Sequence, residues 1–181
     1  MTSPSFSESI PAMSELEEVM RELIAYVDHD GWEQYHRLFA LADRGWIQAY
    51  NPQQRLDIPR SIVPIEQDEL PYGPLDQVLE QIGWPPEVVG CVLVTELHVL
   101  PPTAEQEIPY TYDEREIEHW VRTHPEVKRV RSAIGVTRFG EHKTLEQRQG
   151  EPASLEYLVP DGEWADHLIA PLYATLLAVH D

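Results

Sequence analysis

Residues 127–149 constrain the fold more than any other stretch of this chain. From Val127 to Phe139 the residues alternate. Val130, Ile134 and Val136 face one way and Arg129, Arg131, Ala133 and Gly135 the other, the period of two that marks a strand. Gly140-Glu141-His142 then turns the chain into a second strand over 143–149. Strands joined by so short a turn run antiparallel, because a parallel pair needs a crossover of about a dozen residues or more. A sheet grown around this hairpin is therefore not the all-parallel sheet of a doubly wound fold.

The clearest partner for the hairpin is Gly90 to Leu100, stopped by Pro101-Pro102. One side of it carries Cys91, Leu93, Leu97 and Val99 with Thr95. The other carries Val92, Val94 and Leu100 with Glu96 and His98, and the first side is expected to be the core. If this strand and 127–139 are antiparallel neighbours, their apolar sides share a face. Glu96 and His98 then share the other face with Arg129 and Arg131.

Helices are marked by caps and apolar stripes. Ser14 and Glu17 form a capping box before a helix over 15–29, where Leu16, Val19, Met20, Leu23, Ile24 and Val27 make one stripe and Gly31 supplies a left-handed stop. Thr111 and Glu114 open another helix, with Ile117, Trp120 and Val121 inward, ending at His124-Pro125. Leu75, Val78, Leu79 and Ile82 mark a short helix capped by Gly83. His36 to Ala42 reads as a strand and Asp43 to Tyr50 as a brief helix. Prolines 52, 59, 64, 71 and 74 make Asn51 to Pro74 a long loop with one edge strand near Ile62 to Ile65. A strand at Leu155 to Val159 leads to a C-terminal helix that Pro171 either kinks or starts. With 181 residues, the expectation is one domain. Residues 1–13 form a flexible tail and 14–181 an α+β two-layer domain, its mostly antiparallel sheet covered by helices on one face.

Charge excludes several functions. Lysine and arginine number 13 against 32 aspartates and glutamates, a formal net charge of −19. Unaided binding to nucleic acid or anionic lipid, which depends on neutralising phosphates, is not expected. The single cysteine, Cys91, removes any intrachain disulfide or multi-cysteine metal site and suits a reducing cytoplasm. Buried in its strand, it reads as a small core residue. The longest apolar run, Val88 to Val94, falls far short of the roughly 20 residues of a membrane span, and the N-terminus lacks the features of a secretory signal. Glu116 and His119 have the i, i+3 spacing of a carboxylate-bridged metal helix but no second such helix, so they read as a solvated face. Asp28-His29-Asp30 reads as a helix end where a cationic histidine suits the dipole. No glycine-rich phosphate loop, nucleophile elbow or zinc helix occurs, and neither a cofactor nor a metal is expected.

The layout of charge is more informative than its sum. Between residues 61 and 114 there is no lysine or arginine, while Glu66, Asp68, Glu69, Asp76, Glu80, Glu87, Glu96, Glu105, Glu107, Asp113 and Glu114 form a field of one sign. Between 122 and 148 the balance inverts, through Arg122, Lys128, Arg129, Arg131, Arg138, Lys143 and Arg148. Either the two segments lie together to relieve self-repulsion, or the arginines line a groove for an anionic ligand or acidic partner. Ala133 and Gly135 on the arginine side leave room for such an approach. Trp84-Pro85-Pro86 and Tyr72-Gly73-Pro74 set aromatics among stiff prolines, either a loop pinned to the core or a second recognition patch. The candidate binding residues are therefore Arg129, Arg131, Arg138, Glu96, His98 and Trp84, with no catalytic residue assigned. They suit a non-catalytic protein-binding or regulatory module whose partner is another protein, and which is itself a homodimer or monomer. The alternative is a small hydrolase or transferase acting on an anionic metabolite, with His98 or Glu96 moving the proton.

Several uncommon strings occur together and in order. They are Arg37-Leu38-Phe39-Ala40-Leu41, Pro64-Ile65-Glu66-Gln67-Asp68-Glu69-Leu70-Pro71, Trp84-Pro85-Pro86-Glu87-Val88 running to Gly90-Cys91, Leu100-Pro101-Pro102, His124-Pro125 and Gly135-Val136. Over most of its length the chain resembles an actinobacterial family of uncharacterised small acidic proteins. The resemblance implies a cytoplasmic actinobacterial protein and no particular activity.

Overall fold

Ser14 starts the first helix, its Oγ accepting the Glu17 backbone N–H at 3.2 Å. In the computed structural model, which describes residues 13–53, 60–154, 156–163 and 165–178, this helix is α1 (Glu15–Asp28). The expected 1–13 tail lies outside the described residues except for Met13. All six residues of the apolar stripe of α1 are buried, and Gly31 stops the turn beyond it at φ 82°. The chain continues through β1 (Arg37–Asp43), α2 (Arg44–Tyr50), β2 (Ile62–Glu66), α3 (Leu75–Glu80), β3 (Val88–Val99), α4 (Pro102–Glu105), α5 (Glu114–Thr123), β4 (Lys128–Thr137), β5 (His142–Arg148), β6 (Val159–Pro160) and α6 (Ile169–Leu177).

The strands form one sheet in the order β2-β1-β3-β4-β5-β6, with every neighbouring pair antiparallel. The α+β class follows. β3 and β4 are neighbours in the expected register, Leu93 opposite Ile134 and Leu97 opposite Val130. Helical cover differs from the expectation of a single face. Phe39, Leu41, Val92, Val94, Ala133 and Leu145 pack with α1, whereas Leu38, Ala40, Cys91, Leu93, Ile134 and Val136 pack on the opposite face with α3 and α6. The cause is legible in β3, where both sides are apolar over 91–94, as in a strand buried on both faces.

Smaller differences have local causes. α5 is capped by Asp113, whose Oδ1 accepts the Arg115 N–H at 3.0 Å, while Thr111 caps only the turn before it by accepting the Asp113 N–H. α3 ends at Gln81 in right-handed geometry, so Gly83 is not its left-handed stop. Pro171 is the third residue of α6, in the first turn where a missing N–H is tolerated, so the helix does not start at it. The last strand shrinks to Val159–Pro160, and Leu155 lies outside the described residues. No helix among the described residues is long and apolar enough to cross a membrane.

Gly90 shows how closely the central strands approach. A Cβ there would stand 2.5 Å from the Val136 carbonyl oxygen and 3.3 Å from Thr137 Cα, both backbone atoms of the adjoining strand that cannot swing aside. The register of β1 against β3 also slips beside it, between Leu41 and Ala42. Gly90→Ala is therefore expected to destabilise the fold by about 1–3 kcal/mol through overpacking. Urea unfolding should show a lower midpoint at an unchanged slope.

Candidate functional site

Because β3 and β4 pair antiparallel, Glu96 stands opposite Arg131 and His98 opposite Arg129, on the face that α1 covers. Small residues let α1 come close. A Cβ on Gly135 would lie 2.5 Å from Met20 Sδ and 3.0 Å from Leu16 Cδ1. The room expected beside Ala133 and Gly135 for a ligand is thus taken by the chain's own first helix, whose end then meets Arg131.

Arg131 is 0% exposed. Its Nη1 donates to Asp28 Oδ1 and Gln147 Oε1, each at 2.8 Å, and its Nη2 to the Gly31 carbonyl at 2.6 Å and Glu96 Oε1 at 3.3 Å. The guanidinium carbon lies 4.3 Å from the centre of the Trp32 ring. Glu96 Oε2 accepts the Glu33 backbone N–H at 2.9 Å, and Arg129 donates to Glu33 Oε1 at 2.6 Å. Gln147 Nε2 donates to Asp28 Oδ1 at 2.9 Å. The turn after α1 is thereby clamped to the sheet. Glu33, held there at φ 69°, keeps its carboxyl below the usual range because Arg129 donates to it. Both Nη atoms of Arg131 are taken by acceptors of this chain and two carboxylates surround one cation, while its Nε is buried without a hydrogen-bond partner. With the side chain 0% exposed, that cation is not presented to an anion in solvent.

His98 borders this clamp. Its Nε2 is buried and has no hydrogen-bond partner. Burial, then the charges of Arg129 and Arg122, hold the imidazole below its ordinary pKa against the weaker opposing pull of Glu96 and Glu118. Above about pH 6.5, the ordinary histidine value, folded and unfolded chains both carry a neutral ring and the contribution to stability is full. Below it the unfolded chain takes up the proton first, so the contribution is lost as pH falls. The stability of the wild type relative to His98→Gln should therefore shrink from about pH 7 to about pH 5, as read by paired thermal melts.

Arg138 and Trp84 lie apart from that cluster, with the packing of α6. Trp84 Nε1 donates to Thr175 Oγ1 at 2.8 Å, and Thr175 in turn donates to the Leu172 carbonyl at 2.6 Å. Arg138 donates through Nε to the Val88 carbonyl at 2.7 Å, through Nη1 to that of Leu176, and through Nη2 to those of Trp84 and Pro85 at 3.2 and 3.1 Å. It closes the C-terminal end of α6 and holds the Trp84-Pro85 backbone. An open groove of about 480 Å³ runs between Trp84, Pro85, Pro86, Arg138, Leu176 and Leu177. Cys91 lies beneath, 3.8 Å from Thr175 Oγ1, and burial pushes its thiol up to about 12, so it stays protonated and is no nucleophile.

The six sequence candidates therefore fall into two groups, Glu96, His98, Arg129 and Arg131 in one and Arg138 with Trp84 in the other. Asp28, read from sequence only as part of a helix end beside His29, belongs to the first group, and so do Trp32, Glu33 and Gln147, which were not singled out. Two of them carry a usable signal. Asp28 is an acid at the C-terminal end of a helix, against the dipole, and so calls for a cation. Gln147 is a polar residue on the same alternation of β5 as Lys143 and Leu145, directly opposite Arg131. Elsewhere Arg37 pairs with Asp30 and Glu66, each at 2.7 Å, and Arg60 with Glu22 at 2.6 Å. Of the eleven acids between 61 and 114, the ion pairs among the described residues draw in only Glu66, Glu96 and Glu107. No group of three histidine, cysteine or acidic residues among the described residues could hold a metal ion, and Glu116 and His119 are exposed on α5.

No curated protein and no solved structure matches the chain. One family model does, over residues 16–177, from the first apolar residue of α1 to the end of α6, and by that match the chain belongs to the PPA1309-like protein family.

Proposed function

We propose that this chain is a non-catalytic protein-binding or regulatory module that acts from the cytoplasm, as a monomer or homodimer, on another protein. The closure of the Arg131 cluster carries the reading. An enzyme for an anionic metabolite needs an accessible cation among converging polar groups in a concave pocket. Here Arg131 is buried among Asp28, Glu96, Gln147 and Gly31, Arg129 is held by Glu33, and Arg138 donates to four backbone carbonyls. Beside the exposed Arg115, Arg122, Lys128 and Arg148, solvent meets a larger set of acids and aromatics, including Asp68, Glu69, Glu80 and Glu105 with Tyr72, Tyr110 and Tyr112. Such a surface suits a cationic protein partner.

Carbodiimide cross-linking in native extract tests this, since it joins carboxylates of the chain to amines of a partner. The expected result is a recurrent set of links to one protein. Absence of any partner, together with a raised melting temperature on adding anionic metabolites, would overturn the reading.

A further inference from the structure

The last paired residues of β3 and β4 are Val99 and Lys128. Adjacent antiparallel strands close with loops of about 2–5 residues. This connection instead runs from Leu100 to Val127, and its surplus builds an arm bearing α4 and α5. Only Leu100 and Ala104 of the arm are buried. α5 buries none of its residues, leaving Ile117, Trp120 and Val121 half-covered along one stripe. Ahead of it Tyr110 and Tyr112 are 98% and 95% exposed, their rings edge to face at 6.3 Å, with Ile108 exposed nearby in the chain. The fold gains nothing from holding two rings in water, and loops of this length are usually functional.

Charge decides the occupant. Glu105, Glu107, Asp113, Glu114, Glu116 and Glu118 are all exposed on the arm. Against them stand Arg115 and Arg122, and Arg122 is held by Glu118 at 2.7 Å. An acidic partner, a nucleic acid or an anionic membrane would be repelled. We propose that the arm docks a basic, extended segment of another protein, whose arginines or lysines lie between these carboxylates and over the faces of Tyr110 and Tyr112. The proposal rests on the protein-binding reading above and names its surface and the chemistry of its partner. Tyrosine is a favoured anchor in such contacts because it offers a large rigid face at low entropic loss, and that face attracts a guanidinium.

Fluorescence anisotropy of a labelled poly-arginine peptide with the full chain tests the assignment. Glu105→Lys with Glu116→Lys should weaken binding about tenfold, and Tyr110→Ser with Tyr112→Ser about tenfold as well. Glu69→Lys with Glu80→Lys makes the same change of net charge outside the arm and should alter affinity by no more than about twofold. All six positions are exposed, so the variants should fold, which circular dichroism checks. Equal weakening by the two charge reversals would reduce the effect to net charge and overturn the proposal, as would full binding by the tyrosine variant. A native partner that cross-links to the chain and still binds the arm variants undiminished would defeat the arm while leaving the protein-binding reading in place. Absence of any partner would remove both.

Discussion

Arg131→Ala should lower the stability of the folded chain by about 3–5 kcal/mol, the range for breaking a buried ion pair by removing one partner. The guanidinium it removes is 0% exposed and answers Asp28, Glu96, Gln147 and the Gly31 carbonyl at once. Without it Glu96, whose side chain is only 10% exposed, is left with the Glu33 backbone N–H and no cation, and the void beneath Trp32 is unfilled. Asp28 retains 33% exposure and can turn to water, which favours the lower part of the range. At about 2–4 °C per kcal/mol for a chain of this size, the melting temperature should fall by about 6–20 °C. Arg131→Lys should recover little, because an ammonium with three donors on a flexible stem cannot meet the four acceptors that the guanidinium fork reaches. Pairing Arg131→Ala with Glu96→Gln in a double-mutant cycle should return part of the loss by removing the stranded carboxylate. A fall below about 1 kcal/mol would mean that Asp28 and Glu96 reach solvent unaided, and would return the pair to the modest cross-strand interaction that sequence reading assigns it.

The contrast between those magnitudes marks what sequence could supply here. Alternation over 90–100 and 127–139 put Glu96 and His98 on one face with Arg129 and Arg131, and pairing kept that relation because a period of two cannot mix faces. Alternation does not say what covers a face. Ala133 and Gly135 did signal a close approach, but whether the visitor is a ligand or the chain's own α1 depends on contacts a hundred residues apart in sequence, such as Arg131 to Asp28 and to Gly31. The second helical layer stayed hidden for a related reason: Cys91 and Leu93 looked like a core, and Val92 and Val94 looked like its outer side only because Glu96 and His98 follow them. Inverted charge between the halves was legible, yet Arg129 turns to Glu33 just after α1, Arg131 to Asp28 at its end, Arg138 to backbone carbonyls and Arg122 to Glu118 on its own helix, so most of the acids between 61 and 114 stay outward. That outward field, with Tyr110 and Tyr112 in it, is where the surface has chemistry to offer.

Trp84→Ala should destabilise the chain by about 3–5 kcal/mol, the range for deleting a buried aromatic side chain, while leaving partner binding at full strength. The tryptophan is buried in the cluster formed by Leu79, Cys91, Leu172 and Leu176, and its indole N–H reaches Thr175, so the ring joins the Pro85-Pro86 loop to α6. Arg138 grips the carbonyls of Trp84 and Pro85 from the other side, so loosening the ring also frees the clip that ends α6. Trp84→Phe separates the two contributions. It keeps most of the buried area and loses the hydrogen bond, and since Thr175 Oγ1 still donates to Leu172, its further cost should be about 1 kcal/mol beyond the smaller ring. Urea unfolding at neutral pH reads both variants. The pattern expected is the reverse of that for Tyr110→Ser with Tyr112→Ser, which should leave the unfolding midpoint nearly unmoved and weaken binding. An aromatic that anchors a partner gives up affinity when cut, and one that anchors its own fold gives up stability. If Trp84→Ala instead abolished partner binding with the midpoint unchanged, the tryptophan-proline loop and its groove beside Arg138 would be the recognition surface, and the acidic arm would lose its claim.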